Sequence, residues 1–236
     1  LIIASPNVQE NFKLQLFDER KLKETNGIWN LSSCTGNTYL KEINPMGSEG
    51  LSKDDLITQV NRIIKQSYTF MGYTEFSHLI SKILSIKGVS DMTEEEILIN
   101  KKRRIRFVQK EFSKRLVLID EIHNIRDTDD TTKKIINDLQ QVVRYATNLK
   151  LLLLSATPMF NSYKEIVWLL NLMNLNDNRS TIEVSDIFNK DGSFRQGGED
   201  RGEDRGEDRG ENIESGKQLL IRKARGYISY VRGDNP

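Results

Sequence analysis

The stretch Leu116-Val117-Leu118-Ile119-Asp120-Glu121-Ile122-His123 decides how this chain is read. Four consecutive apolar residues end abruptly in two carboxylates, and a histidine stands two positions further on. An unbroken apolar run, as opposed to an alternating one, is what a parallel sheet covered on both faces needs. Leu1–Ala4 and Leu151–Leu154 are runs of the same kind. In an open parallel sheet, ligands sit in the crevice at the carboxyl ends of the strands, so Asp120 and Glu121 fall at the mouth of a site.

Working outward, the segments between these runs carry helical spacing. Ser52 is placed to cap a helix presenting Leu56, Val60, Ile63 and Ile64 on one face. Phe76, Leu79, Ile80, Ile83 and Leu84 form a second stripe, and Ile135, Leu139, Val142, Val143 and Ala146 a third. Ser162 with Glu165 predicts a capping box ahead of Ile166, Val167, Leu169, Leu170 and Met173. Tyr68–Met71 reads as a further strand leading into Gly72-Tyr73-Thr74. Alternation of strand and helix predicts an α/β architecture with right-handed crossovers.

Composition bounds the function. The 236 residues suggest one domain plus additional material. Thirty-five Lys+Arg against thirty-four Asp+Glu leave a net charge of +1, so any polyanion-binding signal must be local. The single cysteine, Cys34, excludes an intramolecular disulfide framework and a multi-cysteine zinc site. No apolar run approaches the ~18 residues of a membrane-spanning helix, and no membrane partner is expected. The chain opens on Leu1 inside an apolar run and reads as a fragment. From Gly198 to Glu211 a Gly-Glu-Asp-Arg unit recurs with no apolar residue, which predicts a flexible insert.

The chemistry follows from residue types. Phosphoryl transfer needs a carboxylate to hold Mg²⁺ on the phosphates and a group to orient the attacking water. Asp120 suits the metal, held through water, and Glu121 suits the water. A strand ending in a solvated acidic turn would carry the same octet. Thirty-five positions after Asp120, however, a second apolar run ends in Ser155-Ala156-Thr157-Pro158, with a crossover of suitable length between. Hydroxyls beside a hydrolytic carboxylate can link a phosphate site to whatever else the protein holds; an ordinary Ser/Thr turn before proline is the plainer alternative.

The pair D-E-x-H and S-A-T resembles motifs II and III of superfamily-two helicases and translocases on a RecA-like lobe. The stretch Leu151 to Leu175 resembles the Swi/Snf-type branch. Cys34-Thr35-Gly36-Asn37, Gly72-Tyr73-Thr74-Glu75-Phe76 and Gly226 to Pro236 are similar to helicase-like transcription and DNA-dependent ATPase proteins of nucleocytoplasmic large DNA viruses. The resemblance implies ATP and Mg²⁺ as cofactors, and Asp120, Glu121 and His123 as the hydrolytic group. It makes Ser155, Ala156 and Thr157 the coupling motif. Ser5-Pro6-Asn7 matches motif Ia, a backbone contact on nucleic acid, and Tyr73-Thr74 stands where a second such motif falls. It further implies a nucleic-acid partner, DNA ahead of RNA, a link to viral transcription machinery, and a soluble life in the virion or the host cytoplasm. Residues 1–190 would form a partial first lobe, 191–216 a low-complexity insert and 217–236 the start of a connection toward a second lobe.

Two features stand beside that resemblance. No G-x-x-x-x-G-K-[ST] phosphate loop exists in the chain; in the family it precedes motif Ia, so these residues alone are expected to hydrolyse ATP hardly at all. Lys101-Lys102-Arg103-Arg104-Ile105-Arg106 is a local basic cluster suited to a nucleic-acid backbone, or else a solvated helix face balanced by Asp91, Glu94, Glu95 and Glu96. Two other readings stay open: a non-catalytic binding module derived from such a lobe, and a metallohydrolase built on Asp120, Glu121 and His123.

Overall fold

A computed structural model describes residues 1–31, 34–43, 50–84, 93–125, 130–159, 162–197 and 214–230. The Gly-Glu-Asp-Arg repeat, Phe160-Asn161, Asp91 and residues 231–236 lie outside them. The strands β1 (Ile2–Ile3), β4 (Phe70–Met71), β5 (Leu116–Ile119) and β6 (Lys150–Leu153) form a sheet in the order β4-β1-β5-β6. β1 is parallel to both neighbours, with Ile2 opposite Phe70 and Leu118, and Ile3 opposite Met71 and Ile119. A separate hairpin pairs β2 (Leu22–Thr25) with β3 (Ile28–Leu31). With helices between the strands, this is the α/β architecture expected of a RecA-like lobe.

The chain divides into two compact units: one of residues 1–85, 115–121 and 152–154, the other of 86–114, 122–151 and 155–236. In the first, α1 (Pro6–Leu16) follows β1, and α2 (Cys34–Ile43) packs on α1, β3 and α3 (Lys53–Ser67). The hairpin turns at Asn26-Gly27, both at positive φ (53° and 76°), the backbone a two-residue type I′ turn requires. Its ends Leu22 and Leu31 are buried against Phe17, Tyr39, Leu40, Leu56, Val60 and Ile64. Ser52 caps α3 as the sequence predicts, accepting from the Asp55 N–H. α4 (Tyr73–Leu84) buries Phe76, Ile80 and Leu84, one face of the predicted stripe.

The second unit packs α6 (Asp130–Tyr145) against α5 (Glu94–Phe112) and α7 (Glu165–Asn176), with α8 (Val184–Ile187) and α9 (Gly216–Ala224) completing it. Val167, Ile182, Ile187 and Phe188 form a buried cluster with Leu219 and Leu220 of α9 against it. Polar bonds lock α9 in place. Lys223 is buried and its ammonium donates to the carbonyl and hydroxyl of Ser180; burial, with Arg222 and Arg179 nearby, pulls its pKa below the ordinary lysine value. Residues 191–197, the described start of the expected insert, are tied down: Phe194 stacks on Phe188, and Arg195 N–H donates to Ile187 O. Arg195 O in turn accepts from Gly216 N–H (2.9 Å), which brings the two flanks of the repeat together.

Three expectations are corrected. The runs Leu116–Ile119 and Leu151–Leu154 are not covered on both faces: Leu116, the first residue of β5, is 53% exposed, and Leu152, on the edge strand β6, 42%. The Ser162–Glu165 capping box does not form. Ser162 Oγ accepts from Lys164 N–H one residue early, and α7 starts at Glu165 behind an N-cap of Lys164 without a side-chain cap. The strand expected over Tyr68–Met71 shortens to Phe70–Met71, since Tyr68 ends α3 through its N–H on Ile64 O.

Candidate functional site

β5 presents its carboxylates by leaving the ladder at a defined point. Asp120 N–H donates to Ile3 O and Leu154 N–H to Ile119 O, both at 2.9 Å. Glu121 then takes φ 45°, a left-handed conformation that costs a residue with a Cβ about 1 kcal/mol or more. The turn ends the strand, and both acids stand half-buried at its carboxyl end. Tyr73, the first residue of α4, donates its hydroxyl to Asp120 O at 2.6 Å.

The strand order gives this end its significance. From β1 the chain proceeds to β4 on one side; from β5 it proceeds to β6 on the other. The reversal falls between β1 and β5, and a crevice outside the carboxyl ends of two such strands is where an open α/β sheet binds its ligand. On the β1 side Ser5 is the N-cap of α1, with extended backbone (φ −64°, ψ 155°) and no side-chain cap of its own. Pro6 and Asn7 follow, exposed, in the first turn. Unbonded N–H groups at the start of an eleven-residue helix suit phosphate oxygens. Thr74 is exposed beside half-buried Tyr73.

In the second unit His123 Nδ1 lies 2.8 Å from Ser155 Oγ, which also accepts from Thr157 N–H at 3.0 Å. His123 belongs to a 3-10 turn, Ile122–Asn124, pinned by buried Ile122. The D-E-x-H and S-A-T segments are thereby joined by a direct side-chain contact, with Ala156 and Thr157 exposed. The basic cluster lies on α5, whose start is a full capping box between Thr93 and Glu96. Val108 and Phe112 bury one side of that helix. By 3.6-residue periodicity Lys102, Arg103, Arg106 and Lys110 share the opposite face, and all four are exposed. Lys101 is exposed as well, whereas Arg104 is half-buried. The guanidinium of Arg103 lies 5.6 Å from the Phe107 ring.

Among the described residues no three His, Cys, Asp or Glu side chains form a metal-binding group. The metallohydrolase alternative therefore finds no support. A single strand-end carboxylate does fit Mg²⁺, which is commonly bound by one or two protein carboxylates together with substrate phosphates and water. Gly216-Lys217 opens α9 and is no phosphate loop: Gln218 follows where the loop needs a hydroxyl, and the glycine is required because Ile187 O stands where a Cβ would.

The family model for the SNF2-related domain matches residues 52–203, a span that includes Asp120, Glu121, His123 and Ser155. The chain belongs to the SNF2-related domain family. That membership sets it in the Swi/Snf branch of superfamily-two helicases and translocases. Along 251 aligned residues it is 28% identical to a protein of Acanthamoeba polyphaga mimivirus named "Putative ATP-dependent RNA helicase", covering 95% of this chain. The match takes in 18% of that relative, so this SNF2-related domain spans less than a fifth of its length. No solved structure matches.

Sequence alone misses the Tyr73–Asp120 contact, in which the partners are 47 positions apart and no local pattern signals the bond. The hairpin goes unread there and α5 enters only as the solvated helix face offered for the basic cluster, although Asn26-Gly27 between apolar-ended runs and Thr93-x-x-Glu96 are the standard signals for each.

Proposed function

We propose that this domain is the hydrolytic face of a nucleic-acid-stimulated ATPase that couples turnover to movement on its track. The observation carrying the proposal is the Asp120-Glu121 pair at the carboxyl end of β5, beside β1 where the strand order reverses. Asp120 would hold Mg²⁺, and Glu121 would orient the water that attacks the γ-phosphate. His123, Ser155 and Thr157 carry the hydrolytic state toward the nucleic-acid contacts. Ser5, Pro6, Asn7 and Thr74 bind the backbone by hydroxyl, amide and helix N–H groups, and Lys101, Lys102 and Arg103 by charge. Mg²⁺, when bound, neutralises the charge developing on the phosphates. Residues 1–190 serve as part of a first lobe, and 217–236 lead toward a second that closes the nucleotide site.

DNA is the proposed track and viral transcription the proposed setting, both from the viral and Swi/Snf-type likeness; the mimivirus relative's name points to RNA. The non-catalytic alternative has less support, because a binding module has no use for two adjacent acids at a sheet's ligand-binding edge. Steady-state ATP hydrolysis by the complete protein tests the reading. Stimulation by DNA above that by RNA is expected; hydrolysis that no nucleic acid stimulates would refute it.

A further inference from the structure

We infer that Tyr73 is a positioning residue for the acid pair, resting on the proposed ATPase reading, and that its hydroxyl serves the Asp120–Glu121 peptide instead of the nucleic-acid track. Three observations converge on that peptide. The sheet ladder grips the chain up to the Asp120 N–H, bonded to Ile3 O at 2.9 Å, and the Ile119 carbonyl, bonded to Leu154 N–H at 2.9 Å. Asp120 O is the first carbonyl beyond those bonds, and the Tyr73 hydroxyl takes it at 2.6 Å. The next residue, Glu121, sits at φ 45°, a conformation its Cβ disfavours, so the peptide must be held against relaxation toward an ordinary turn. Any change of ψ at Asp120 or φ at Glu121 that the other does not cancel would turn one carboxylate relative to the other, because Asp120 lies on one side of that peptide and Glu121 on the other.

Tyr73 is itself well anchored. It opens α4, whose Phe76, Ile80 and Leu84 are buried at 1%, 0% and 6% exposure. Phe76 N–H bonds Gly72 O across the first turn at 3.0 Å. The phenol therefore has a rigid base, and the exposed neighbour Thr74 places the same helical turn within reach of solvent. A shift of this turn is passed to the acids through one hydroxyl. This makes α4 a short mechanical link between a backbone-contact segment and the hydrolytic pair. A peptide displaced by a fraction of an ångström misplaces the attacking water, and such misplacement is expensive in rate.

The experiment compares wild type, Tyr73→Phe and Glu121→Gln in the complete protein. It reads ATP turnover over a titration of nucleic acid, with hydrogen exchange of the backbone amides 120–124. Tyr73→Phe is expected to lower kcat about tenfold and leave the half-saturating nucleic-acid concentration within about twofold. Exchange over 120–124 should quicken by about tenfold, with the rest of the sheet unchanged. An unchanged kcat with a raised half-saturating concentration would overturn the inference and return Tyr73 to the track. Unchanged exchange over 120–124 would overturn it too. Turnover that survives Glu121→Gln would remove the ATPase reading and the inference with it, whereas turnover lost in Glu121→Gln but kept in Tyr73→Phe removes the inference alone.

Discussion

The contact between His123 and Ser155 can be measured as an energy. Ser155→Ala deletes a hydroxyl that stands 2.8 Å from His123 Nδ1 and accepts from Thr157 N–H at 3.0 Å. The two bonds are unequal. Thr157 is exposed, so water replaces its partner at almost no cost. His123 is half-buried and keeps less access to water, so its bond is worth about 1 kcal/mol. In a domain of this size that loss lowers its Tm by about 2–4 °C. His123→Ala removes the same bond from the other side, together with the ring's packing. In the double variant the bond can be lost only once, so the two single effects should exceed the double effect by about 1 kcal/mol. If the contact transmits the state of the hydrolytic site, the same coupling appears in nucleic-acid-stimulated turnover as about fivefold. The assay is a four-protein cycle in the complete protein, read by thermal melting and by stimulated ATP hydrolysis. Additivity within about 0.3 kcal/mol in both would refute the reasoning, because two side chains that share a bond cannot act independently.

Gly216→Ala drives a Cβ into Ile187 O, a backbone atom that cannot swing away. It should cost about 1–3 kcal/mol by overpacking, checked by urea melting, while Gly50→Ala, with nothing within 4 Å, stays within about 0.5 kcal/mol. The Asp18 carboxyl is held below its ordinary pKa, first by its hydrogen bonds from the Arg20 guanidinium. A depressed carboxylate contributes stability above its unfolded pKa of about 3.9 and loses it as pH falls through the folded value, so Asp18→Asn should flatten the acid limb of the stability–pH curve. Replacing Lys102, Arg103 and Arg106 together by Gln should weaken nucleic-acid binding and reduce the slope of log K against log salt by about 0.9 for each phosphate no longer neutralised; an unchanged slope would make that face of α5 merely solvated.

The parts of this molecule that are legible in sequence are those where local pattern and tertiary demand coincide. β5 and its acids can be read because an apolar run that stops at Asp120 leaves little other interpretation. Likewise Ser52 can be read as a cap, since three residues on the Asp55 N–H needs an acceptor and the helix behind it has a clear apolar face. Ser162 looks the same but loses to a competitor: its hydroxyl is taken by Lys164 N–H within a tighter turn, an alternative that hydroxyl residues always offer the backbone. The bounds of α5 escape notice, and it enters only as a solvated helix face, because it buries only Val108 and Phe112, near its end, and a mostly solvated helix leaves a weak periodic signal. The exposure of Leu116 at the start of β5 and of Leu152 on the edge strand β6 depends on place in the sheet, which no run of residues encodes. Of the site, the acids, His123 and the Ser155 segment stand out in sequence, while the 2.8 Å contact between His123 and Ser155 is supplied by the fold alone. The resemblance sets Tyr73 at a nucleic-acid contact, and its bond to Asp120 O cannot be read from sequence because only the fold brings α4 to the end of β5.

The central claim is that Asp120 and Glu121 hydrolyse ATP, and Glu121→Gln in the complete protein tests it most directly. The substitution preserves size and removes one charge. Nucleic-acid-stimulated turnover should fall by about a thousandfold or more while ATP binding, followed by equilibrium titration, stays within about threefold. Stimulated turnover that persists in Glu121→Gln with ATP bound as before would contradict the account.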